Sequence, residues 1–176
     1  HGFVECLEEP LSSSSQAEEC RLAVLRLLLQ AIERKDGGGW GLALFLLGFD
    51  PKRPIRSAVL QDTTAPGVAR SCLHAVVSLL TPSSDCPSSP PLLRRPEAAV
   101  LAFRLLYRLV TNTSTSVPVA HFLRNERDFV LTQLRALPFP SPSNEEATTA
   151  LEATAWLLRL VAWELRATVT SRKHQQ

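Results

Sequence analysis

The sequence of 176 residues contains no methionine, and aromatic residues make up only 6% of it. Leucine is instead the commonest apolar residue. Sheet proteins are rich in Val, Ile, Tyr and Phe, whereas leucine is a strong helix former. The composition therefore predicts an all-α protein with a buried core.

The sequence has no long apolar run and no strong excess of charge. Its nearest approach to a membrane span, residues 37–49, falls short of the roughly 18 apolar residues that such a span requires. The net charge of +2 is too small to indicate direct binding of nucleic acid or of an anionic membrane surface. No basic segment precedes an apolar run at the amino terminus, so no signal peptide is predicted.

Four cysteines occur without Cys-x-x-Cys spacing: Cys6, Cys20, Cys72 and Cys86. We interpret them as reduced thiols of an intracellular protein, although their number is also compatible with disulfides.

No residue pattern predicts a catalytic, cofactor-binding or metal site. Cys72 and His74 are two residues apart on a predicted helix and would point to different faces, and we expect Cys72 to be buried in the core. His74 and His121 have no second ligand three or four residues away. The glycines at 37–41 lack the strand and the Lys-Ser or Lys-Thr of a phosphate loop. No small-molecule substrate is therefore expected.

Helical periodicity and capping residues predict a succession of helices. In the first long helix, the apolar residues fall at helical spacing along one face: Cys20, Val24, Leu28, Ala31 and Ile32. Ser15 and Glu18 match a capping box, Pro96 suits a first helical turn, and Asn125 and Asn144 are placed as caps. The predicted helices are 15 to about 36, 40–47, 67 or 68–80, 96–110, 118–124 (a short helical turn), 126–137 and 145 to about 171. Gly48 is predicted to stop the helix over 40–47.

Two proline-rich segments interrupt this pattern. Residues 81–95 combine four prolines with serines, and we predict a mobile surface loop there. Pro138, Pro140 and Pro142 predict a second, stiff loop.

The last helix carries apolar residues on two opposite faces. Leu151, Leu158 and Leu165 share one face with three alanines, whereas Trp156, Leu160 and Trp163 fall on the other. A surface helix of a globule has one apolar stripe, so this helix is expected to lie between neighbours on both sides. Residues 1–176 are therefore predicted to form a single α-helical segment of a larger, irregular α-solenoid of stacked antiparallel helices.

Several short sequence motifs follow one another between Leu42 and Arg172, and their order and spacing are informative. They are residues 47–50 (Leu-Gly-Phe-Asp), 60–62 (Leu-Gln-Asp), 71–74 (Ser-Cys-Leu-His), 122–124, 129–131, 156–158 and 164–166. In these motifs and in their order, the sequence resembles the large inner-ring scaffold nucleoporins of the two-hundred-and-five-kilodalton type. It is similar to a fragment from the middle of such a chain.

The resemblance implies a non-enzymatic structural scaffold of the nuclear pore complex at the nuclear envelope. Such a protein supports pore assembly and nucleocytoplasmic transport through contacts with other scaffold and linker nucleoporins. One alternative is a HEAT or armadillo-like solenoid acting as an adaptor or nuclear transport receptor, although the sequence shows no regular repeat. The other is an all-α enzyme, which would need convergent titratable groups in a pocket.

Overall fold

The computed structural model describes residues 2–9, 15–34, 39–50, 52–57, 60, 70–81, 95–125, 129–137 and 145–173. Within these ranges the secondary structure is helical, which confirms the predicted all-α class. The elements are α1 (Gly2–Glu8), α2 (Ser15–Glu33), α3 (Gly39–Leu46), a 3₁₀ helix (Ile55–Ser57), α4 (Cys72–Leu80), α5 (Pro96–Thr111), α6 (Ser116–Asn125), α7 (Phe129–Arg135) and α8 (Glu145–Lys173).

Helix α5 is the centre of the packing. It contacts both α2 and α8 extensively, and α2 in turn contacts α3. Phe103, Leu106 and Leu109 of α5 are completely buried, and Leu25 of α2 and Leu157 of α8 are likewise removed from solvent. Burying a large aliphatic or aromatic side chain is worth about 1.5–3 kcal/mol, so these shared contacts stabilise the packing of α2 and α8 on α5. Helices α3, α2, α5 and α8 therefore form a stack in this order.

Ion pairs show that α2 and α5 run in the same direction. The partners advance together along both helices: Glu18–Arg95 at 3.5 Å, Arg26–Glu97 at 4.0 Å and Glu33–Arg104 at 2.8 Å. Parallel helices within one layer are what stacked antiparallel helical hairpins produce, because every second helix then points the same way.

The predicted glycine stop after α3 is confirmed. Gly48 has a φ of +97°, and its N–H donates to the Phe45 carbonyl at 3.0 Å. The N–H of Phe49 donates to the Leu44 carbonyl at 3.0 Å. This pair of bonds is the Schellman arrangement, which satisfies the last carbonyls of a helix and requires a residue that tolerates positive φ.

Helix α4 begins later than predicted. Arg70 and Ser71 are not helical, and the helix starts at Cys72 rather than at residue 67 or 68. Ser71 is extended, and its N–H donates to Nδ1 of His74 at 3.3 Å. This local cap fixes the helix start, which the apolar periodicity alone could not locate.

Three other local predictions need correction. Cys20, predicted on the apolar face of α2, is exposed. The segment predicted as a short turn over 118–124 is the ten-residue helix α6, with Pro118 in its first turn, where no backbone donor is required. Asn125, which was predicted to cap the following helix, is the last residue of α6, and its side-chain amide lies 3.2 Å from Nδ1 of His121.

Some predictions lie outside the described residues. These are the loop over 82–94, the prolines at 138–142, the Asn144 cap, Cys86 and the glycines at 37 and 38. The end of the last helix is described, and at Lys173 it lies two residues beyond the predicted end.

Candidate interaction surface

The inner face of α8 is anchored in the core. Ala153, Leu157 and Leu160 are buried, and Trp156 and Trp163 are half-buried against the same cluster. The Trp156 ring packs at a tilt on Tyr107, with 5.7 Å between centroids, and the Arg159 guanidinium carbon lies 4.4 Å from its centroid. The tryptophans therefore hold α8 onto the stack, as the sequence predicted.

The outer face of α8 carries large apolar side chains in contact with solvent. Leu151, Leu158 and Leu165 are 53%, 50% and 61% exposed, and Val169 near the end of the helix is similarly open. Ala155 and Ala162 lie between the leucines and are also exposed. The two apolar faces predicted for this helix are both present, one packed and one uncovered. A contiguous exposed apolar stripe of this kind is typical of a surface that receives another protein element.

A groove continues this surface between α6, α7 and α8. Its volume is about 320 Å³, and Leu123, Phe129, Leu131, Leu134, Val161 and Leu165 supply most of its lining. At its polar border, Nε of Arg124 donates to Oε1 of Glu164 at 2.7 Å. No sequence pattern marks this groove, because residues from three helices form it and none of these helices has an unusual pattern alone.

Helix α3 presents a second uncovered apolar face. Leu42 and Phe45 are exposed, while Ala43 and Leu44 pack into the core. Since α3 and α8 contact α2 and α5 respectively, uncovered apolar faces lie on both outer helices of the stack.

Cys72 and His74, weighed in the sequence as possible chemical groups, serve the packing of α4. Cys72 is buried, as predicted, and burial raises the pKa of its thiol to about 11. A thiol with this pKa is protonated at neutral pH and is a poor nucleophile. The His74 ring is also buried, bonds Ser71 through Nδ1 and packs edge-on against Phe122, with 4.9 Å between ring centroids.

The basic residues of α5 are paired rather than free. Nε and a terminal nitrogen of Arg104 donate to Oε1 of Glu33 at 3.2 and 2.8 Å, and Nε of Arg108 donates to the same oxygen at 3.0 Å. Partial burial raises the pKa of Glu33, but the hydrogen bonds and charges of Arg104 and Arg108 outweigh it and hold the pKa below its usual value. The cluster joins α2 to α5.

Arg21 is a structural residue that sequence reasoning missed. Its side chain is only 1% exposed, and it donates from Nε to the Leu7 carbonyl at 3.2 Å and from a terminal nitrogen to the Glu9 carbonyl at 2.6 Å. It also pairs with Glu18, the residue predicted to complete a capping box with Ser15. Arg21 thus ties the end of α1 to α2. An arginine is ordinarily placed on the surface, so the sequence carried no signal for this role.

In the described part of the chain, no three His, Cys, Asp or Glu side chains are placed to hold a metal ion. Among the described helices, none is long and apolar enough to cross a membrane.

Comparison with known proteins gives two findings. The family described as nuclear pore complex scaffold, nucleoporins 186/192/205, matches residues 1–176. The chain is also 33% identical over 188 aligned residues to a human protein named nuclear pore complex protein Nup205, covering 98% of this chain. The chain spans only 9% of the length of that relative.

Proposed function

Because the chain belongs to the nuclear pore complex scaffold family of nucleoporins 186/192/205, we propose that it is a structural segment of the pore's inner ring. In this role it supports pore assembly and nucleocytoplasmic transport through contacts with other proteins. The observation that carries the proposal is the pair of uncovered apolar faces, on α3 and on α8, at the two sides of one helical stack. A scaffold is built by repeating such contacts, whereas an isolated globule buries them.

Its partners are other scaffold and linker nucleoporins. A groove between helices with an apolar floor and one ion pair at its border suits a short amphipathic or extended peptide segment. Leu131 is exposed at this groove and Phe129 is buried beneath it, so a bound segment would meet a ready-made apolar surface.

The role is non-enzymatic in this proposal. The raised pKa of the Cys72 thiol disfavours a nucleophilic thiolate, and the ring nitrogen of His74 nearest to Ser71 is occupied by the helix cap. Substituting Cys72 by Ala, His74 by Asn and His121 by Ala should therefore leave the cellular function intact. Complete loss of function in a variant that still folds would support an enzyme instead.

The location of the protein in the cell and its binding partners distinguish a pore scaffold from a transport receptor. We expect the complete protein, tagged at its chromosomal locus, to give a punctate nuclear rim and to co-purify with scaffold and linker nucleoporins. Distribution through cytoplasm and nucleoplasm, with recovery of cargo and a small GTPase, would overturn the scaffold proposal.

A further inference from the structure

Thr81 follows the last residue of α4 and is itself followed directly by Pro82 in the sequence. A serine or threonine with proline immediately after it is the target sequence of proline-directed protein kinases. Two further pairs of this kind, at 89–90 and 141–142, lie outside the described residues. Thr81 is exposed, and its φ of −84° and ψ of 136° give it the extended conformation that a following proline requires.

The hydroxyl of Thr81 is part of the carboxyl-terminal cap of α4. Its Oγ1 donates to the Val77 carbonyl at 2.8 Å, and its N–H donates to the same carbonyl at 3.0 Å and to that of Ser78 at 3.2 Å. The carbonyls at a helix end carry partial negative charge. A phosphate on Oγ1 would replace a donor by an acceptor group with about −1.5 to −2 charges beside them. Phosphorylation of Thr81 therefore opposes the helical form of the last turn of α4.

Gln133 of α7 holds the same turn from outside α4. Its side chain is 1% exposed, and its Nε2 donates to the Leu80 carbonyl at 2.7 Å. We call this contact between Leu80 and Gln133 the α4–α7 junction. Its weakness lies in the other half of the amide, because Oε1 of Gln133 is buried and has no hydrogen-bond partner among the described residues. Opening of the junction would hydrate this oxygen and so offset part of the cost of the broken bond.

We propose that Thr81 is a phosphorylation site whose modification is controlled by the α4–α7 junction. A protein kinase binds its target segment in extended form, whereas Leu80 is helical and buried while the junction is closed. Opening of the junction therefore has to precede modification. The phosphate then keeps the junction open, because Oγ1 can no longer donate to the Val77 carbonyl. This regulation goes beyond the scaffold role and does not depend on it.

The group transfer needs only ATP and the kinase. Oγ1 of Thr81 attacks the γ-phosphorus of ATP, and the bond from that phosphorus to the β,γ-bridging oxygen breaks. ADP leaves, and the hydroxyl proton passes to a base of the kinase.

The test uses the complete gene product, purified and incubated with a cyclin-dependent protein kinase and Mg-ATP. Phosphopeptide mass spectrometry over time should find phosphate on Thr81, and Pro82→Ala should abolish it. Gln133→Glu places a carboxylate against the Leu80 carbonyl, and an unpaired buried charge favours the open junction, so Thr81 should be modified about tenfold faster or more. Leu131→Glu adds the same charge at an exposed position of α7 and should leave the rate unchanged.

Hydrogen-exchange mass spectrometry measures the consequence of phosphorylation. Exchange over residues 77–81 and 129–135 should become about tenfold faster, because the cap loses a hydrogen bond and gains an unfavourable charge at the helix end. Thr81→Ala treated with the same kinase should exchange as its untreated form does, which separates phosphate on Thr81 from phosphate elsewhere. Exchange in α5 should stay constant throughout.

Three results would overturn the proposal. They are the lack of phosphate on Thr81, equal rates of modification in Gln133→Glu and Leu131→Glu, and phosphorylation of Thr81 without faster exchange. If Gln133→Glu also accelerated exchange in α5, the comparison of the parent protein with Thr81→Ala would decide the matter.

Discussion

Gly48 lies directly against Ser71. A β-carbon added at Gly48 would come within 2.8 Å of the Ser71 Oγ and 2.9 Å of its Cβ. That hydroxyl is itself 2.7 Å from Nδ1 of His74, in the cap of α4. The end of α3 and the start of α4 are therefore packed against each other through a position that only glycine fits without strain.

Replacing Gly48 by Ala should destabilise the protein by about 1–3 kcal/mol or more. Alanine at a positive φ costs energy by itself, and the contact with Ser71 adds a clash with a side chain that is held by the cap. Urea unfolding of the variant and the parent protein, followed by circular dichroism, measures the difference.

Gly41→Ala is the matched control. Gly41 lies inside α3, and a β-carbon there would meet nothing within 4 Å. Alanine is favoured over glycine by roughly 1 kcal/mol in a helix interior, so this variant should be neutral or more stable. Equal destabilisation at both positions would contradict the close packing of Gly48.

The helix end at Gly48 could be predicted from the sequence, whereas the helix start after Ser71 could not. The glycine stop was predictable, because an apolar run that ends in glycine is a local signal for a helix end. The start of α4 at Cys72 was not, because it depends on the Ser71–His74 cap. Along α8, 29 residues of unbroken periodicity made both faces predictable. The groove beside Leu131 and the burial of Arg21 depend on tertiary contacts between helices, which periodicity does not encode.

Arg21→Met should cost about 1–3 kcal/mol, because it removes the donor that satisfies the carbonyls of Leu7 and Glu9, whereas Glu18 keeps Arg95 at 3.5 Å. We also expect α1 to lose protection in hydrogen-exchange mass spectrometry, since the Arg21 side chain attaches it to α2.

Arg26→Met is the control on the same helix. Its side chain is largely exposed and lies 4.0 Å from Glu97, so its loss should cost about 0–1 kcal/mol. Similar costs for the two variants would contradict a buried anchoring role for Arg21.

The Glu33 cluster predicts a pH dependence of stability. Arg104 and Arg108 lower the pKa of Glu33 below its usual value of 4.5 in the folded protein. The ion pair therefore contributes stability above pH 4.5, and this contribution is lost as the pH falls through the lower, folded-state value. Glu33→Gln should flatten the stability profile in this acid range and should cost about 1 kcal/mol or less at neutral pH. The free energy of unfolding of both proteins, measured between pH 3 and 7, gives the comparison. Parallel profiles would show that Glu33 does not titrate in contact with the arginines.

The uncovered face of α8 predicts that the isolated 176-residue chain associates with itself non-specifically. Replacing Leu151, Leu158 and Leu165 together by Ser removes exposed apolar surface and should shift the protein from aggregates toward a monomer in light scattering. Helix content should change little, because these side chains do not pack in the core.

Leu157→Ser, on the buried face of the same helix, is the matched control and should unfold the protein, at a cost of several kcal/mol. If the triple variant unfolded as Leu157→Ser does, the outer leucines would belong to the core of this segment. The apolar face would then be unavailable to a neighbouring helix.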